Sequence, residues 1–162
     1  ASTPPSASGA AGKASLSARI ALIAVLVQIA LGVLTSASWS GAVCPGVDGC
    51  AALLGGADWR AFDPWRFAAG SALVHMTHRA ASVLVLLAVT LLVWRLRRRD
   101  RALCNVLALL LVVQIGLGMT MVTQGLPIVA AVAHNLCAAL VLLAVARAQQ
   151  RLRSDPDEGA LI

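Results

Sequence analysis

Apolar residues gather along this chain into four long stretches, at about residues 18–37, 71–94, 103–123 and 127–146. Each reaches the roughly 20 residues that a helix needs to cross a bilayer. Backbone polar groups in hydrocarbon have no water to bond, so they must be satisfied within the segment, and the stretches are expected to be helices and not strands. Pro127 suits the first turn of the fourth helix, where its missing N–H leaves nothing unpaired. The opening 1–14 is rich in Ala, Ser, Pro and Gly without periodicity. It reads as a disordered tail, because it has no basic start and the first apolar run is long enough to span.

Composition agrees with the pattern. Charged residues make up 12% of the 162, against about 25% in a soluble domain, and mean hydropathy is +0.84. The net charge of +6 is not a nucleic-acid signal, because the cations cluster just beyond the apolar runs, where they set topology and meet anionic lipid. Lys13 and Arg19 flank the first span, Arg95, Arg97, Arg98, Arg99 and Arg101 fill the second connection, and Arg147, Arg151 and Arg153 follow the fourth span. The opposite side has only Arg60 and Arg66, besides Arg79 inside span two. Both termini are therefore expected in the cytoplasm of a bacterial inner-membrane protein, with residues 38–70 and 124–126 facing outward. Trp39, Trp59, Trp65 and Trp94 fall near the interfaces, where tryptophan is favoured. The expected fold class is an all-α four-helix transmembrane bundle over residues 17–147, between a disordered tail at 1–16 and a cytoplasmic tail at 148–162. A short internal repeat, Gln28-Ile-Ala-Leu-Gly32 and Gln114-Ile-Gly-Leu-Gly118, predicts two parallel helix pairs related by an axis along the membrane normal.

All three histidines, His75, His78 and His134, lie in the apolar stretches. Ionisable residues there usually mark function, although a histidine can also simply bond one helix to another. His78 stands seven residues past Ser71 and His134 seven past Pro127. At about 1.5 Å rise per residue, both lie roughly 10 Å inside the same boundary. Two histidines at matched depth on two helices can sandwich a planar metallocofactor. Zinc normally takes more ligands, and no Asp or Glu lies in any expected span. Haem needs only one or two axial side chains and an apolar slot. Gly32, Gly116 and Gly118 could open that slot or serve close helix packing. Arg79 could pair with a haem propionate or snorkel to the headgroups. His75, three residues before His78, shares its face and stays open as a ligand, a proton site or a hydrogen-bond partner.

Cys44 and Cys50 sit in the outward loop as Cys44-Pro-Gly-Val-Asp-Gly-Cys50. That compartment permits a disulfide, and a reducible redox pair is the alternative. Cys104 and Cys137 read as small apolar residues.

In their order and spacing these features resemble the haem A synthase (CtaA-type) family. The matching stretches are Gln28 to Thr35, Cys44 with Cys50, His75-Met-Thr-His78-Arg79, Gln114 to Gly118, Gly125-Leu-Pro127 and Ala133-His134-Asn135. Family members typically carry two four-helix halves, and this chain resembles the C-terminal one. The resemblance implies a b-type haem between His78 and His134, an outer cysteine pair at Cys44 and Cys50, and a link to oxidation of the haem O methyl group. The other half's glutamate, three residues before its first histidine, corresponds here to His75, so the resemblance carries over haem binding without the catalytic carboxylate. Haem O or haem A as bound substrate or product stays open. So does action as a homo-oligomer or with a partner supplying the second half. The alternatives are a small b-type cytochrome serving a respiratory complex, or an assembly protein whose histidines only pack.

Overall fold

The computed structural model describes residues 7–38, 40–42, 46 and 72–154. Among them are four long helices and no strand: α1 (Ala7–Ala37), α2 (Ala72–Leu96), α3 (Arg101–Thr123) and α4 (Ile128–Ser154), with a 3-10 turn at Ser40–Ala42. All four are long and apolar enough to cross a membrane. This is a multi-pass membrane protein. Its large side chains point outward as lipid contact requires: Leu84, Val112 and Val129 are 65%, 68% and 82% exposed. A soluble surface would not carry so much contiguous apolar area.

Two helices run past the expected spans. The Ala-rich segment expected as tail is helical from Ala7, as the high helix propensity of alanine favours. At the other end α4 continues to Ser154, with Arg151 and Arg153 in its last turn, where cations oppose the helix dipole.

The connections at the two ends differ. Between α2 and α3 the chain turns tightly and Asp100 caps α3, its carboxylate accepting from Leu103 N–H at 2.9 Å. The same carboxylate pairs with Arg151 of α4. Between α3 and α4, Gly125 and Leu126 both adopt left-handed backbone, at φ 71° and 61°. A leucine there is strained by about 1–2 kcal/mol. Its side chain is held against Gly41 of the 3-10 turn, where a Cβ would meet Leu126 Cδ1 at 3.4 Å.

Each helix packs on its sequence neighbour, and α1 closes the ring against α4. The diagonal pairs, α1 with α3 and α2 with α4, make little direct contact. The packed core occupies one end of the bundle. Ala18, Ala21 and Val25 meet Val89, Leu92 and Leu96 there, together with Leu107 from α3 and Val145 and Ala148 from α4. Small residues on α1 and α4 allow the close approach that drives helix association in lipid. This is the basic end; the histidines lie at the other.

Candidate functional site

His78 and His134 lie on diagonal helices, each six residues past the first residue of its helix. The rise per residue puts both about 9 Å in. Each imidazole is met by a glutamine of the preceding helix. Gln114 Nε2 donates to His134 Nε2 at 3.1 Å. Gln28 Nε2 lies 3.5 Å from His78 Nε2 and donates to the His78 carbonyl at 3.1 Å. An amide nitrogen carries only donors, so an imidazole that meets it through Nε2 accepts there when its own proton is on Nδ1.

One turn further along each glutamine helix is a glycine. A Cβ on Gly32 would come 3.2 Å from His78 Cε1, and one on Gly118 would come 3.4 Å from His134 Cε1. Residues four apart share a helix face, so Gln28 with Gly32, and Gln114 with Gly118, form one glutamine-and-glycine cradle used twice. The internal repeat is thus a repeat of imidazole sites. In the sequence these glutamines belong to the repeat and to the family pattern, without being tied to the histidines. Their signal as histidine partners was the recurrence of Gln-x-x-x-Gly before each histidine helix.

The neighbourhood is polar beyond what its bonds satisfy. Gln28 Oε1, Gln114 Oε1 and the Nδ1 atoms of His75, His78 and His134 are buried without a hydrogen-bond partner among the described residues. Buried polar atoms are normally paired, so the four of these that belong to the two glutamine–histidine sets point to a missing partner. A haem fits these residues. The Nε2 atoms of His78 and His134 would hold its iron, each through the lone pair it carries when the ring proton is on Nδ1. Among the described residues no group of three or more His, Cys, Asp or Glu side chains converges, so they build no multi-ligand zinc cage.

His75 points elsewhere. It is 5% exposed, and its Nε2 accepts from Arg79 Nε at 3.2 Å, one turn along α2. Of the three roles the sequence left open, the structure shows the hydrogen-bond partner. Arg79 in turn donates through Nη2 to the Gly46 carbonyl at 3.0 Å, while Gly46 N–H donates to the Val122 carbonyl at 3.1 Å. Gly46 therefore bridges α2 and α3 at the histidine end. It does so with φ 76°, a conformation that suits glycine. Ser38 and Ser40, hydrogen-bonded to each other and buried, complete the polar layer near His75. Cys44 and Cys50 lie outside the described residues, as do Trp39, Trp59 and Trp65. Cys104 and Cys137 are free and buried, as expected, and donate weakly to the Val93 and Leu110 carbonyls.

A family model described as cytochrome oxidase assembly protein (COX15-CtaA) matches residues 2–146. The chain belongs to that family. No curated protein and no solved structure gives a significant match. Membership ties this membrane protein to cytochrome oxidase assembly. The matched range contains both glutamine, glycine and histidine sets.

Proposed function

We propose that this chain binds one b-type haem between His78 and His134 and serves haem A biosynthesis, the supply of cofactor to cytochrome oxidase, as a haem-binding half that is not a complete catalyst. The observation that carries this reading is the pair of imidazoles at equal depth on diagonal helices, each with its Nε2 facing a glutamine amide and its Cε1 close to a glycine. When bound, haem would supply one-electron redox chemistry. The chain's own residues would fix its axis. Gly32 and Gly118 allow close approach of the imidazoles, and Arg79, anchored by His75, brings a guanidinium to the histidine end for a propionate.

Oxidation of the haem O methyl group needs a proton acceptor or charge stabiliser within hydrogen-bond reach. The position three residues before His78 is His75, whose Nε2 is already held by Arg79. No Asp or Glu falls within α2 or α4. A partner chain carrying a second four-helix half would supply the missing group. The basic end would face the cytoplasm of a bacterial inner membrane, and the loop with Cys44 and Cys50 would face outward.

A small b-type cytochrome that only carries electrons is the second reading, favoured by the same histidine pair. Haem extracted from the purified protein, with a reduced-minus-oxidised spectrum, separates the readings. Haem O or A supports the biosynthetic role, haem B alone is compatible with both readings, and absence of haem overturns both. Co-expression with a haem O source, in cells lacking any other haem A synthase, tests the half-catalyst assignment. Haem O should persist; accumulation of haem A overturns it.

A further inference from the structure

Outside the histidine end, the basic end carries an unexplained groove of about 410 Å³ between α3 and α4. Its walls are Val106 and Leu110 from α3 and Leu140 and Leu143 from α4, and its mouth is formed by Arg147 and Arg151. From Leu140 to Arg151 the helix rises about 16 Å, close to half the ~30 Å hydrocarbon thickness. The groove is thus one leaflet deep, apolar towards the midplane and cationic at the headgroup level. Asp100, the acid at the mouth, is already engaged by Leu103 N–H and by Arg151. Arg147 forms no ion pair among the described residues. A second cavity of about 530 Å³ lies on the α2 side of α3 and is lined by Arg97, Arg98 and Arg101, so positive charge flanks the N-terminus of α3 on both sides.

We propose that the α3–α4 groove binds an anionic phospholipid, with an acyl chain between Leu110 and Leu140 and the phosphate on Arg147. Polarity decides the occupant. A soluble anion has no use for an apolar trough one leaflet deep, and an uncharged chain has no use for the arginines. A zwitterionic lipid would fill the trough but carries its own cation at the headgroup. Each basic residue near a membrane surface attracts anionic lipid by about 1 kcal/mol, which corresponds to roughly fivefold in affinity.

The test is native mass spectrometry of the delipidated full chain in detergent micelles, titrated separately with phosphatidylglycerol, phosphatidylcholine and inorganic phosphate. Phosphatidylglycerol should bind about fivefold or more tightly than phosphatidylcholine. Arg147→Gln should bring that ratio close to one. Ala102→Phe, which places bulk in the groove lining, should weaken both lipids. Circular dichroism and a monodisperse elution profile in detergent establish that each variant is folded. Equal binding of the two lipids by the unaltered chain overturns the proposal, as does an unchanged ratio in folded Arg147→Gln. Inorganic phosphate displacing the lipid at comparable concentration would show an anion subsite without a lipid groove, and also overturns it.

Discussion

Gln114 holds His134 by a hydrogen bond from its amide to Nε2 at 3.1 Å, the same atom through which an imidazole would meet haem iron. Gln28 faces the Nε2 of His78 at 3.5 Å. A lone pair cannot serve an amide and an iron together, so the Gln114 bond to Nε2 and iron ligation by the same atom would exclude each other. Gln114→Leu should therefore lower the apparent melting temperature of haem-free protein, by the equivalent of about 1 kcal/mol for a lost buried hydrogen bond. In haem-loaded protein the loss should be smaller. Scanning fluorimetry of both forms in detergent reads the difference, and equal losses would mean that the two interactions do not compete.

His78→Ala and His134→Ala should each abolish the bis-histidine Soret band or shift it strongly. The two positions are equivalent in depth and in partner, so their effects should be similar. A full, unshifted band in both purified variants would falsify the ligand assignment.

The glycines separate close approach from simple helix packing. Gly32→Ala puts a Cβ 3.2 Å from His78 Cε1, so the imidazole must move by a few tenths of an ångström. Haem occupancy should fall or the low-spin electron paramagnetic resonance signal should shift. Gly118→Ala, at 3.4 Å, should do less. Gly116→Ala meets nothing within 4 Å and should leave haem unchanged while gaining up to about 1 kcal/mol of helix propensity. Identical effects at all three would mean that the glycines do not set imidazole position.

Asp100 joins three helices at the basic end by capping α3 and pairing with Arg151 beside the α2–α3 turn. Asp100→Ala should cost about 1 kcal/mol for the cap and up to about 1 more for the half-exposed ion pair. Asparagine caps about as well as aspartate, so Asp100→Asn should lose only the ion-pair part. Thermal unfolding in detergent distinguishes them; equal losses would assign the whole effect to the charge.

Cys44 and Cys50 are expected to be oxidised to a disulfide when the protein is isolated from cells, because their loop is assigned to an oxidising compartment. Thiol alkylation before and after reduction, read by mass spectrometry, measures it. Full labelling of both without reductant rules out the bridge as the resting state.

The four helices were legible in the sequence because lipid imposes one condition on each segment alone: an apolar run long enough to span, with all backbone groups bonded internally. The matched depth of His78 and His134 was legible for the same reason, since depth depends only on position within a run. The helix spacing of four between His75 and Arg79 was also visible, but not that the two side chains would bond to each other. What only the tertiary structure decided is which faces meet. Gln28 lies 50 residues from His78 and Gln114 only 20 from His134, yet packing brings both pairs to the same relation. Apolar periodicity could not announce that. Helices exposed to lipid are hydrophobic on every side, so their sequence does not mark the inward face as a soluble helix would. The placement of the close-packed core at the basic end, leaving polar imidazole cradles at the other, follows from four helices interlocking at once. No single helix encodes it.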